Sequence, residues 1–369
     1  MPGNDVEIFS FESGSEGWTF QNPSPFGAVN GAHDSGRRAL GLRTMATDGF
    51  AYWESPMLSP AIVGEGIAYK TAPGRTLFRS VWRIASDAPA ASAVPGFRLR
   101  QSSPDFEQTD LIQISSTLAP GDPRPVLAPS TAGREYSSYF LHPTGTSTVR
   151  LDFDVVHFAQ DDAQNSSLFL EQVNLQSLTE AQLGDAGEPE RMTFSGGNAH
   201  GWTPRTTASV ISAPAEFAAT AEGLLIRGRA TGKAPPGYES PDRDAVIFGY
   251  WGHEMPGTVL RGGRMYRIDW QVASDAPESR RGHLPAFRLR FNTSSHQLAA
   301  LKQVESRGDA SLVPSAGQPV VYSLFVEVPP QLDGDSAILS FDYLHSPSSD
   351  DDPELALILR EVAIREIGG

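Results

Sequence analysis

Residues Trp82–Arg100 read WRIASDAPAASAVPGFRLR, and residues Trp270–Arg290 read WQVASDAPESRRGHLPAFRLR. The match extends in both directions with its order preserved. FESGSEGWT (Phe11–Thr19) aligns with FSGGNAHGWT (Phe194–Thr203), ALGLR (Ala39–Arg43) with GLLIR (Gly223–Arg227), and AYWESP (Ala51–Pro56) with FGYWGHE (Phe248–Glu254). Further on, LDFDVVHF (Leu151–Phe158) faces LSFDYLHS (Leu339–Ser346), and SLFLEQVNL (Ser167–Leu175) faces ALILREVAI (Ala356–Ile364). A period sustained over the whole chain is a tandem duplication. It divides the chain into a first copy (1–178), a polar linker (179–190) and a second copy (191–369), each long enough to bury its own core.

Within each copy the apolar period is two. In FRLR, Phe97 and Leu99 point one way and Arg98 and Arg100 the other; in SVWRIA, Trp82 and Ile84 share a face opposite Val81 and Arg83. Such runs alternate with clusters drawn from 35 Gly and 29 Pro plus Asp and Ser, and no segment keeps a helical period. The expectation is all-β: two tandem jelly-roll β-sandwiches of about eight strands each. Asp87 and Asp275, in the repeated SDAP, are expected to cap backbone amides in a turn.

Charge narrows the partners. The formal net charge of −15 is shared, with 12 basic and 20 acidic residues in 1–184 against 17 and 24 in 185–369. Nucleic acid and anionic membranes need a basic footprint, so neither is the expected partner. The absence of cysteine removes disulfides, zinc–thiolate sites and a cysteine nucleophile together. The opening MPGNDVEIFSF has no signal-like basic and apolar regions, and no apolar run approaches a membrane span, which predicts a soluble chain.

The opening F-E-x-G followed by G-W-T, a middle strand like MYRIDWQVAS and a closing strand like SLFLEQVNL resemble the jelly-roll carbohydrate-binding modules with a galactose-binding-like fold. The resemblance spans both copies and implies non-catalytic binding of a polysaccharide or glycan, outside the cell or at its surface. It also implies a structural Ca²⁺ held by Glu12 and Glu171, although Ser195 replaces Glu12 in the second copy.

Sugar recognition needs flat apolar rings and planar polar groups. Trp82 and Trp270 fall on apolar faces and belong to the core; Trp18 and Trp202 read as partly buried plugs. Tyr52–Trp53 and Tyr250–Trp251 are adjacent pairs, so one ring of each points away from the core, either as a stacking platform or as cover for a neighbouring loop or domain. Arg79, Arg83, Arg98 and Arg100, with Arg267, Arg288 and Arg290 in the second copy, fall on non-core faces. Asp152 and Asp154, and Asp342 in the second copy, share one parity. If their strands are neighbours, they form a charged cross-strand ladder, or a groove whose arginines bind hydroxyls or uronate carboxylates. His157 and His345 are equivalent, each followed by acids, and read as strand-end packing against a turn carboxylate.

Catalysis is not expected. Glycoside hydrolysis needs two carboxyl groups about 5–9.5 Å apart. The acids repeated between copies are Asp87/Asp275, in turns, and Asp154/Asp342, in the ladder; no G-x-S-x-G, H-E-x-x-H or P-loop motif occurs. The rival to glycan binding is a structural or self-assembling subunit of the cell exterior whose outward aromatics are buried between chains.

Overall fold

The computed structural model describes residues 5–23, 29–45, 47, 49–58, 75–102, 106–113, 127–143, 150–157, 165–178, 187–205, 215–228, 247–257, 259–293, 297–303, 314–345 and 351–367. The first copy contributes β1 (Asp5–Phe9), β2 (Thr19–Gln21), β3 (Val29–Asp34), β4 (Ala39–Thr44), β5 (Gly49–Glu54), β6 (Arg75–Ser86), β7 (Gly96–Ser102), β8 (Phe106–Gln113), β9 (Arg134–Pro143), β10 (Arg150–His157) and β11 (Ser167–Ser177). The second contributes β12 (Glu190–Thr193), β13 (Thr203–Arg205), β14 (Glu216–Thr220), β15 (Gly223–Arg227), β16 (Ile247–Met255), β17 (Met265–Ser274), β18 (Ala286–Thr293), β19 (Gln297–Gln303), β20 (Val320–Glu327), β21 (Ala337–His345) and β22 (Leu357–Ile367). Each strand has its counterpart eleven places later, so the duplication seen in the residues is a duplication of the fold. There are eleven strands per copy among the described residues, more than the eight expected, because several are only three to five residues long.

Each copy is an antiparallel β-sandwich. One sheet of the first runs β3-β4-β11-β6-β9 with β1 also on β11, and the second copy repeats it as β14-β15-β22-β17-β20 with β12 on β22. The opposing sheets, β2-β5-β10-β7-β8 and β13-β16-β21-β18-β19, are not separate. β8 pairs antiparallel with β19, joining them into one ten-stranded sheet that runs through both copies.

The inner faces carry the apolar residues of the period-two pattern. Trp82 and Trp270 are fully buried, at the centre of matching edge-to-face clusters. Trp18 stands at 5.7 Å from Phe11 and 6.3 Å from Trp82, and Trp202 at 5.5 Å from Phe194 and 5.9 Å from Trp270. Trp18 and Trp202 are therefore core residues rather than partly buried plugs. The SDAP turns hold the closing strands as expected: Asp87 Oδ1 accepts from the Ser167 amide and Asp275 Oδ1 from the Ala356 amide.

A second contact ties the copies together where β9 approaches β20. Leu77, Tyr139, Phe325 and Ile367 form a buried cluster flanked by Leu178 and Met265. At its edge the Tyr139 hydroxyl donates to Glu327 Oε2 at 2.8 Å.

Candidate functional site

The candidate site lies on the outer face of the ten-stranded sheet. Alternation sends Ala51, Trp53, Phe97, Leu99, Leu151 and Phe153 inward, which leaves Phe50, Tyr52 and Glu54 of β5, Asp152 and Asp154 of β10, and Arg98 and Arg100 of β7 outward. Register makes these neighbours. Tyr52 is opposite Asp154, which is opposite Arg98; Glu54 is opposite Asp152, which is opposite Arg100.

The side chains close into layers. Arg98 Nη2 is 2.8 Å from Asp154 Oδ2, and Arg100 Nη2 donates to Asp154 Oδ1 at 3.3 Å. Arg100 Nη2 is also 3.3 Å from Asp152 Oδ2, and Arg150 bonds Glu54 at 2.6 Å while its Nε lies 3.6 Å from Asp152. The guanidinium of Arg98 covers Phe50 at 4.9 Å and that of Arg100 covers Tyr52 at 5.0 Å, geometry suited to cation–π attraction. Under these arginines Asp152 and Asp154 are fully buried. Neither oxygen of Asp152 receives a hydrogen bond among the described residues. Burial pushes its pKa up to about 7, with Asp154 and Glu54 adding to the rise and Arg100 and Arg150 opposing it.

The second copy rebuilds the arrangement. Arg288 Nε donates to Asp342 Oδ2 at 2.8 Å, Arg290 Nη2 to Asp342 Oδ1 at 2.9 Å, and Arg290 covers Tyr250 at 5.3 Å. The surroundings differ. Register places Gly252 where the first copy has Glu54, Ser340 where it has Asp152, Ile338 where it has Arg150, and Arg205 where it has Gln21.

The two clusters share one face. A single register row runs from Thr19 through Glu54, Asp152 and Arg100 to Thr109 of β8, then crosses to Ala300 of β19 and continues through Arg290, Ser340 and Gly252 to Thr203. Residues in one row of an antiparallel sheet point the same way, so both Arg–Asp–Tyr clusters open to the same side. Arg100 and Arg290 are three strand spacings apart, about 14 Å along the sheet, and Tyr52 and Tyr250 seven, about 34 Å.

Among the residues singled out in the sequence, Tyr52, Arg98 and Arg100 come together in the first cluster, and Tyr250, Arg288 and Arg290 in the second. Trp53 and Trp251 do not join them. Both are buried, and their Nε1 groups donate across the sandwich to the carbonyls of Gly41 and Leu225 at 3.0 Å. Trp53 and Trp251 are thereby corrected as candidate ligand contacts: of the one outward ring expected in each pair, the tyrosine is the one. Arg79, Arg83 and Arg267 lie on the opposite sheets, where Arg79 bonds Ser137, Arg83 bonds Glu171 and Arg267 bonds Asp269. Sequence reasoning missed Phe50, Glu54, Arg150 and Arg205; the outward parity of β5 was the signal for the first two.

Glu12 and Glu171 do not suit a Ca²⁺ ion. Glu12 is exposed and paired with Arg38 at 3.4 Å, and Glu171 sits between Arg83 at 3.0 Å and Arg37 at 3.8 Å. A hard cation needs a surplus of oxygen ligands, whereas these carboxylates are matched by guanidinium groups. No cluster of three or more His, Asp or Glu that fits a metal occurs among the described residues. His345 bonds a turn carboxylate, Asp351, at 2.6 Å, as expected, whereas the side chain of His157 and residues 161–162 lie outside the described residues.

No protein-family model matches the chain, and no curated protein matches it. Among solved structures, the CBM22-1–CBM22-2 tandem domain of Paenibacillus barcinonensis Xyn10C aligns over 98% of this chain and 98% of its own, at 12% identity and a TM-score of 0.29. The C-terminal family 22 carbohydrate binding module of Clostridium thermocellum Xyn10B aligns over 50% of this chain and 96% of its own, at 14% identity and 0.28. The Arabidopsis thaliana ANX1 ectodomain covers 89% of this chain and 83% of its own, at 9% identity and 0.24. At such scores the fold assignment rests on the strand pairing itself.

Proposed function

We propose that the chain binds polysaccharide, without catalysis, along the outer face of its ten-stranded sheet. The observation that carries this reading is the register row that brings the two duplicated Arg–Asp–Tyr clusters onto one face. Sugar rings present apolar C–H faces and hydroxyls. Half-buried Phe and Tyr rings meet the first, and guanidinium N–H donors held in place by buried aspartates meet the second.

A duplicated module then supplies two sites for one long ligand. Because the copies share a sheet, the spacing of the sites is set by strand pairing rather than by linker length, and the second site is reached at a fixed effective concentration. Affinity electrophoresis against a panel of neutral and acidic polysaccharides tests the proposal. Retardation by at least one polymer is expected, weakened by Tyr52→Ala or Tyr250→Ala and abolished by both. A folded protein that no polymer retards, or retardation that survives the double substitution, sinks it.

A further inference from the structure

The two clusters are alike at their centres and unlike at their margins. In the first copy Arg98, Arg100 and Arg150 face Glu54, Asp152 and Asp154, three guanidinium groups against three carboxyl groups. Around Tyr250 the corresponding acids are gone. Arg205, Arg288 and Arg290 face the single carboxylate of Asp342, which Arg288 and Arg290 already hold. Arg205 is exposed on β13, opposite Tyr250, and pairs with no carboxylate among the described residues. The nearest further acid on β16, Glu254, is exposed about 7 Å beyond Gly252.

The same exchange brings ring and arginine together. In the first copy the Glu54 side chain stands on this row and is bonded to Arg150. In the second the position is Gly252. Gly252 is buried, and a Cβ there would lie 3.2 Å from the Tyr250 ring carbon Cε2 and 3.9 Å from Arg205 Cδ, so the ring and the arginine stem close side by side over the glycine.

Resting on the reading of the sheet as a glycan-binding face, we infer that the half-face of the second domain selects acidic sugars, holding a uronate carboxylate on Arg205 and Arg290 beside the Tyr250 ring. A carboxylate matches the planar donor fork of arginine, and the surplus positive charge is local to this margin. The chain as a whole is acidic, so the preference comes from short-range contact and not from long-range attraction.

The test compares alginate, a soluble polyuronate, with its propylene glycol ester, which keeps the sugar chain and removes the charge. Alginate is expected to bind about tenfold more tightly than the ester, the size of effect one charge-assisted hydrogen bond confers. Arg205→Gln and Gly252→Glu, which restore the first copy's residues, should each shrink that ratio, whereas Gln21→Ala in the first copy should not. Arg205 is exposed on an edge strand, so its variant folds even if Gly252→Glu does not. Equal binding of polymer and ester, or a ratio untouched by Arg205→Gln, overturns the inference while leaving the glycan-binding face standing. Failure to bind these and every neutral polymer removes both.

Discussion

Asp152 is the residue whose protonation the fold controls most directly. Its carboxyl is fully buried and lacks hydrogen bonds among the described residues, and burial pushes its pKa up to about 7 from the ordinary 3.8. Between about pH 4 and pH 7 the folded protein therefore holds a proton that the unfolded chain has released. Stability is predicted to be greatest at the acidic end of that window, to fall as pH rises through it, and to level off above it. The full effect is on the order of a few kcal/mol. Urea unfolding midpoints of wild type and Asp152→Asn across the window check this; the variant should lose most of the slope, and an unchanged slope would show that Asp152 is ionised throughout. Ser340 takes this position in the second copy, so no matching contribution arises there.

At the level of strands, the ladder across β5, β10 and β7 is a packed ionic layer rather than a set of surface pairs. Arg100 bridges Asp152 and Asp154, so truncating it strands buried charge; Arg100→Ala is predicted to destabilise by about 3–5 kcal/mol. Arg83→Ala, which breaks a more exposed pair with Glu171, should cost only about 0–1 kcal/mol. Adding Asp152→Ser to Arg100→Ala should recover part of the loss, which a double-mutant cycle measures directly. Much of this layer was legible in the sequence, because the parity of FRLR against LDFDV requires arginines and aspartates on one side if the strands pair. The choice between Tyr and Trp was not legible. Alternation places Tyr52 and Trp53 on opposite faces without saying which is inward; that is settled by the carbonyl of Gly41, on the other sheet, which receives the Trp53 indole N–H. The pairing of Glu12 with Arg38 and of Glu171 with Arg83 and Arg37 was not legible either, because a carboxylate implied by family resemblance carries no record of the arginines that the fold brings beside it.

Across the whole molecule, the decisive feature is a pairing that no local pattern announces. FEQTDLIQ and QLAALKQ are ordinary strand sequences, and their union as β8 and β19 depends on two folded domains meeting edge to edge. It removes two inner edges at once, while the outer edges β2 and β13 are three residues long and β13 contains Pro204, features that discourage further sheet growth. The junction can be cut selectively, because consecutive backbone N–H groups of a strand point to alternate neighbours. Of Ala300→Pro and Leu301→Pro, one deletes a donor toward β8 and the other a donor toward β18 within the second domain. The first type should leave both domains folded, as near-UV circular dichroism would report, while weakening their union; the second should damage the second domain itself. If the ten-stranded face acts as one surface, the variant that loosens the junction lowers affinity for long polymer chains toward that for short oligosaccharides, removing an avidity factor of up to about 10²–10⁴. Should long-chain affinity persist in a variant shown by small-angle scattering to have separated domains, each half-face would be working alone and the shared sheet would be a matter of stability only.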